Sequence, residues 1–266
     1  MGDGNMENRK KIGVLDSGVG GLTLVKELEK LMPNEDIVYI GDNKNCPYGN
    51  RTADDIVGLT KNMIEFLKEQ EVKIVAVACN TISSLIDRYG NDYEFPIFGI
   101  IDPASQYVVD KEVKEVGVLA TEFTVNSKCY NRLINEKNTD IAVYGEGSRN
   151  LASLIDCGEF DMEAIEEDIK LHMVNLLERC DAKNIILGCT HYPIVQDLFE
   201  KYGPGINFIN PALQQAKKIK SYLEDNNLLN DNPNHCYNIY TSGTTDTYEK
   251  LLKVLNIQTP FDIKTI

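Results

Sequence analysis

Two cysteines, Cys79 and Cys189, each stand directly after a short apolar run and before hydroxyl or amide residues, in Ala78-Cys79-Asn80-Thr81 and Gly188-Cys189-Thr190-His191. A free thiol titrates near pH ~8.5, and a helix N-terminus or neighbouring hydrogen-bond donors lower that value toward neutrality. A lone cysteine is more often a small buried hydrophobe. Two in matched settings read instead as a pair of thiols, each able to take up or release a proton. Asp16, in Asp16-Ser17-Gly18, follows the first apolar run and could orient or deprotonate an acidic group, with a helix cap as the competing role. His191 lies two residues after Cys189. Its imidazole titrates near neutrality and suits a proton partner for that thiol, the alternative being a satisfied structural histidine. The other two histidines, His172 and His235, fall in an amphipathic stretch and a polar turn, and read as surface or packing residues.

Neutral donors gather around these groups. Pro47-Tyr48-Gly49 forms a turn that would offer backbone N–H groups and a phenol. Ser17, Asn80, Thr81 and Thr190 could cradle a carboxylate without an arginine. The glycines of Gly18-Val19-Gly20-Gly21 permit close backbone approach, but they do not spell GxGxxG and no ribose-binding acid follows, so a dinucleotide site is not supported.

The elements that must position these residues follow from the hydrophobic pattern. The runs at 12–15, 37–40, 74–78 and 97–101 are β-branched and apolar, as in strands buried on both faces of a parallel sheet. Helical periodicity separates them, over Leu22 to Leu31, Ile56 to Leu67 and from Ser83 toward Tyr89. A second series of runs lies at 116–120, 140–145, 184–188 and 206–210. Its loops echo the first: Asp36-Ile-Val-Tyr-Ile-Gly parallels Asp140-Ile-Ala-Val-Tyr-Gly, and Asp102-Pro103-Ala104 parallels Asn210-Pro211-Ala212. The fold class is therefore α/β, with two similar doubly wound domains, mainly parallel sheets and a cleft between them. Each lobe would deliver one cysteine from the C-terminal end of its third strand, where open parallel sheets place ligands. The tail from 236 to 266 adds a strand and a helix with no counterpart in the second series. The expected division is a discontinuous first lobe, 1–101 plus 211–266, carrying Asp16 and Cys79, and a second lobe, 102–210, carrying Cys189 and His191.

Bulk composition narrows the function class. The chain has 266 residues, 42% of them hydrophobic, and a formal charge of −14. That charge disfavours nucleic acid, whose binding depends on Lys and Arg neutralising phosphates. No apolar run reaches the roughly 20 residues that span a bilayer, and the first residues lack a signal-like apolar stretch, so no membrane association and a cytoplasmic location are expected. The seven cysteines, at 46, 79, 129, 157, 180, 189 and 236, show neither a disulfide framework nor a metal-ligand spacing. The five outside the pair have no assigned role.

These motifs together resemble the glutamate racemases of the aspartate/glutamate racemase superfamily. The resemblance covers nearly the whole chain and rests on Leu15-Asp16-Ser17-Gly18-Val19-Gly20-Gly21, Gly41-Asp42 leading to Pro47-Tyr48-Gly49, Ala78-Cys79-Asn80-Thr81, Gly117-Val118-Leu119-Ala120-Thr121 and Leu187-Gly188-Cys189-Thr190-His191-Tyr192-Pro193. It implies cofactor-independent, two-base racemisation of glutamate, supplying D-glutamate for peptidoglycan, with no metal and with glutamate as the partner molecule. Cys79 with Asp16 would serve the D-enantiomer side, and Cys189 with His191 the L-enantiomer side. Ser17, Tyr48, Gly49, Asn80, Thr81, Thr190, His191 and Asp16 match substrate-binding positions, and a homodimer is the assembly the family suggests. In related aspartate racemases the second motif usually reads Gly-Cys-Thr-Glu, so His191 favours the glutamate branch. Two segments depart from the family pattern. Ser148-Arg149-Asn150 followed by Leu151 to Asp156 replaces a Cys-Pro element and a Val-Pro-Leu-Val-Glu run, and Asn43-Lys44-Asn45-Cys46 stands where relatives commonly have Ala-Arg. Both bear on side-chain specificity. The competing functions are a superfamily racemase or isomerase for aspartate or another small acid, and a non-catalytic acid-binding regulatory protein.

Overall fold

The computed structural model describes residues 10–156, 161–231 and 234–266; Cys157 lies outside them. Two wholly parallel sheets organise the chain. The first has six strands in the order β10-β9-β2-β1-β3-β4, where β1 is Lys11–Asp16, β2 Ile37–Gly41, β3 Val72–Val77, β4 Ile97–Gly99, β9 Tyr237–Thr241 and β10 Phe261–Thr265. The second has four strands, in the order β6-β5-β7-β8, where β5 is Glu115–Thr121, β6 Ala142–Ser148, β7 Asn184–Gly188 and β8 Asn207–Ile209. The central order is the same in both sheets, with the third strand of each series beside the first. Cys79 and Cys189 follow β3 and β7, and so occupy equivalent strand ends.

The central strands are apolar along their length because both faces are covered: β2 and β3 are buried at every residue. Helices α1 (Leu22–Leu31), α2 (Ala53–Glu69), α3 (Asn80–Ser83) and α4 (Ile101–Asp110) belong to the first series of connections. The second contains α5 (Glu122–Asn126), α6 (Cys129–Lys137), α7 (Leu151–Asp156), α8 (Met162–Leu177) and α9 (Gln196–Tyr202), and α10 (Pro211–Asp225) and α11 (Asp246–Val254) follow. Local chemistry sets several starts. Thr52 accepts from the Asp55 N–H, Asp161 from that of Ala164, and Asn210 from that of Ala212 with Pro211 in the first turn. Packing of α10 on α1 and α4, and of α4 on α6, joins the two sheets through one buried apolar cluster that includes Val14, Ala76, Val118, Ile186 and Ile219. Separate clusters cover the outer face of each sheet.

Three elements differ from the sequence pattern. The helix expected from Ser83 toward Tyr89 is the short α3 followed by a 3-10 turn at Ile86–Arg88. The chain breaks there because Ser84 bonds back to the Thr81 carbonyl and the buried Tyr89 hydroxyl donates to that of Ile82. The apolar run 97–101 is divided, its last residue opening α4. The tail holds one strand more than expected: β10 is an edge strand, mostly exposed and polar, without a buried-strand signature. No helix among the described residues is long and apolar enough to cross a membrane.

Candidate active site

A cavity of about 40 Å³ lies where the C-terminal strand ends of the two sheets meet. Ser17, Tyr48, Gly49, Cys79, Asn80 and Thr81 line it from the first sheet, and Thr121, Gly188, Cys189, Thr190 and His191 from the second. It holds no more than a few waters, so its walls are in close contact. The contact depends on glycine. A Cβ on Gly20 would lie 2.4 Å from Thr190 Oγ1 and 2.7 Å from His191 Cε1. Thr23 crosses the same junction, donating to the Thr190 carbonyl at 3.2 Å.

On the first side, Ser17 Oγ lies 3.5 Å from Cys79 Sγ. Asp16 is completely buried. Its carboxylate accepts from the Gly18 N–H at 2.9 Å and from the Thr190 hydroxyl, across the cleft, at 3.3 Å. Burial is the largest influence and lifts its pKa to about 6, against the pull of His191 and these hydrogen bonds. Burial, and then the nearby Asp16 charge, push the Cys79 thiol up to about 12. Cys79 therefore stays protonated at neutral pH while Asp16 is largely ionised.

On the second side, Cys189 Sγ lies 3.7 Å from His191 Nδ1, and His191 Nε2 lies 3.0 Å from Asp156 Oδ1. Burial opposes the imidazolium, but the Asp156 hydrogen bond and the Cys189 contact outweigh it and carry His191 well above its ordinary value. Asp156 is likewise held below the usual carboxylate range: burial acts against this, and His191 with the Val19 N–H overcomes it. The arrangement is a cysteine sulfur, an imidazole ring and a carboxylate in a row.

Neutral groups fill the remaining wall. Thr81, Thr121 and Thr124 form a cluster of hydroxyls 3.0 to 3.3 Å apart. Asn80 Oδ1 accepts from the Tyr130 hydroxyl at 2.7 Å, whereas the buried Nδ2 has no protein partner and remains a donor for a ligand. Tyr48 differs from its expected use. It lines the cavity, but its hydroxyl donates to Asp42 Oδ2 at 2.7 Å, so its proton is committed away from the cavity. Among the described residues no lysine or arginine lines the cavity. Among the described residues no cluster of His, Cys, Asp or Glu could hold a metal. His172 sits away from the cavity, bonded to Glu146 at 2.8 Å, and His235 bonds Thr259 at 3.3 Å.

Several lining residues are not among the expected site residues: Asp156, Thr121, Cys46, Ala152 and Ser153. Asp156 is the most consequential, because it ends α7 in the segment that departs from the family pattern and is the carboxylate partner of His191. A carboxylate far from its histidine in sequence shows no diagnostic spacing.

Residues 12–218 match the family model described as Asp/Glu/hydantoin racemase. The chain belongs to this family. It is 34% identical to glutamate racemase 1 of Caldanaerobacter subterraneus subsp. tengcongensis over 92% of each chain. Among solved structures, it is similar to a glutamate racemase isoform of Bacillus anthracis, with a TM-score of 0.89 and 31% identity, covering 96% of this chain and 97% of the other. A glutamate racemase from Francisella tularensis, solved with D-glutamate, gives a TM-score of 0.89 and 32% identity, covering 97% and 98%. Racemase-family membership and the two-sheet fold agree with the paired strand-end thiols.

Proposed function

We propose that this chain is a cofactor-independent racemase that interconverts L- and D-glutamate with Cys79 and Cys189 as opposed acid and base. One observation carries the reading: the two thiols, from equivalent ends of two similar sheets, line one cavity and have different helpers. A single base would return the proton to the face it left, whereas two on opposite faces invert the centre. Cys79, protonated at rest, is the donor when L-glutamate arrives; Cys189, acting as the thiolate beside the His191 imidazolium that Asp156 holds, takes the α-proton and becomes the thiol. Asp16 takes part in restoring the Cys79 proton.

The α-proton of an amino acid is only weakly acidic, so the site must stabilise the developing carbanion by placing donors at the adjoining carboxylate. Asn80 Nδ2, the threonine hydroxyls and the turn at Tyr48 and Gly49 are assigned that task, with Ser17 beside the thiol. They act in a site whose walls exclude most water, which strengthens each contact. Because the cavity is small, entry requires the two sides to separate and then close over the substrate. The same reading takes 1–101 plus 211–266 and 102–210 as the lobes that move. It also places the enzyme in the cytoplasm, supplying D-glutamate for peptidoglycan.

The test is incubation of L- or D-glutamate in deuterated water without added cofactor, following loss of the α-proton signal and formation of the other enantiomer. Both should occur, with aspartate unchanged. Turnover of aspartate in place of glutamate would move the chain to the aspartate branch, and binding without α-exchange would make it a non-catalytic acid-binding protein.

A further inference from the structure

We propose that Tyr248, on the carboxy-terminal helix α11, is a positioning residue that fixes the Asp16–Val19 turn and, through it, the proton-transfer groups on both sides of the cavity. The inference rests on the racemase reading above. Tyr248 is completely buried, and its hydroxyl lies 3.1 Å from the Gly18 carbonyl and against Asn43 Oδ1. The Tyr39 hydroxyl donates to the same Gly18 carbonyl at 2.6 Å. The two rings meet edge to face, with centroids 6.0 Å apart. Two phenols thus converge on one backbone oxygen.

The neighbouring sheet is built around this convergence. A Cβ on Gly41 would fall 1.9 Å from the Tyr248 hydroxyl and 2.5 Å from the Gly18 carbonyl, so β2 must end in glycine for the phenol to reach the turn. The loop after β9 continues the brace. Thr241 Oγ1 donates to Asn43 Oδ1 at 3.1 Å, and Ser242 Oγ donates to Asp42 Oδ1 at 2.8 Å. Asp42 in turn accepts from the Tyr48 hydroxyl. β9, α11 and β10 have no equivalent in the second sheet.

What the turn holds gives the brace its chemical meaning. The Gly18 N–H bonds the Asp16 carboxylate, and Ser17 between them reaches Cys79. The next amide, that of Val19, bonds Asp156, the carboxylate that holds His191. A shift at the Gly18 carbonyl therefore disturbs the helpers of both thiols. Asn80 and Thr81, assigned above to the substrate carboxylate, sit on α3 and not on this turn, so the effect should fall on turnover more than on binding.

The experiment is Tyr248→Phe in the full chain, which keeps the ring in its packing and removes only the hydroxyl. Loss of the hydroxyl that lies between Asn43 Oδ1 and the Gly18 carbonyl should lower kcat for glutamate racemisation about ten-fold, with KM little changed. The fall in kcat/KM must be equal in both directions, because the enantiomers have equal free energy in water. Amide hydrogen exchange at Gly18 and Val19, read by NMR on the same proteins, should accelerate by about the same factor. Wild-type kcat, or a rise in KM in its place, would overturn the proposal. If Tyr248→Phe folds poorly, Tyr39→Phe removes the phenol that donates to the same carbonyl at 2.6 Å, and unchanged kcat and exchange in that variant would equally overturn it. A wild-type protein inactive on glutamate would refute the racemase reading alone, and unaltered amide exchange in the variant would refute the brace alone.

Discussion

The Cys79 and Cys189 ends of the cavity are built from equivalent strand positions, yet they store charge in opposite ways. At Cys79, burial and then the charge of a single carboxylate, Asp16, raise the thiol, and Asp16 is itself raised by burial. At Cys189 the neighbour is an imidazolium with its own carboxylate, Asp156, so the charges there are paired. The first end is costly to the fold and holds its proton; the second is compensated. Duplicated architecture supplies the two thiols, and local differences in sequence give them different neighbours.

The most severe way to break this comparison is to remove one thiol at a time. Cys79→Ser and Cys189→Ser should each lower racemisation by about 10³-fold or more, because an alcohol is a far weaker acid than a thiol and both are needed for inversion. Enantiomer formation followed by circular dichroism or a chiral assay checks this, and near-normal rates in either variant would remove that cysteine from the mechanism. Next in size is Asp156→Asn. Without the carboxylate, His191 loses the partner that raises its pKa, and activity should fall by roughly 10- to 100-fold. The limb of the rate profile that reports the imidazolium should move to lower pH. A pH profile with that limb unmoved would show that Asp156 does not set the charge of His191.

The smallest effect is on stability, and it sharpens the contrast by its sign. Burial raises the pKa of Asp16 from an ordinary 3.8 to about 6 in the folded protein. A carboxyl group raised on folding penalises the native state wherever it is ionised. The penalty is fully present above about pH 6 and disappears as pH falls toward 3.8. Asp16→Asn should therefore stabilise the protein at neutral pH, by at most about 3 kcal/mol, while impairing catalysis. Urea unfolding of both proteins at pH 7.5 and near pH 4 checks it: the gain should be present at the first and largely lost at the second.

The sequence carried much of the fold because strands buried on both faces and helices with one apolar stripe leave strong, separable patterns. The positions of Cys79 and Cys189 at strand ends followed from those patterns. β10 and the broken segment at 83–89 did not, since an exposed edge strand and a turn tied by Tyr89 depend on tertiary neighbours. In the site, Asp16, Ser17 and the motif residues after each cysteine were legible as local groups. Asp156 was not, because its meaning comes from a histidine on another element. The same is true of Tyr248, whose hydroxyl is informative only once Gly18 and Gly41 lie beside it.

The repeated strand order has a consequence in terms of handedness. Repetition of a chain of L-residues can relate two halves of a protein by rotation, and no rotation turns an object into its mirror image. The substrates of a racemase, in contrast, are related by reflection. A perfectly repeated pair of lobes would exchange one thiol for the other without exchanging the enantiomers they face. Rotation can thus repeat the two thiols without mirroring their surroundings, and those of Cys79 and Cys189 differ: Ser17 lies beside the first, and His191 with Asp156 beside the second.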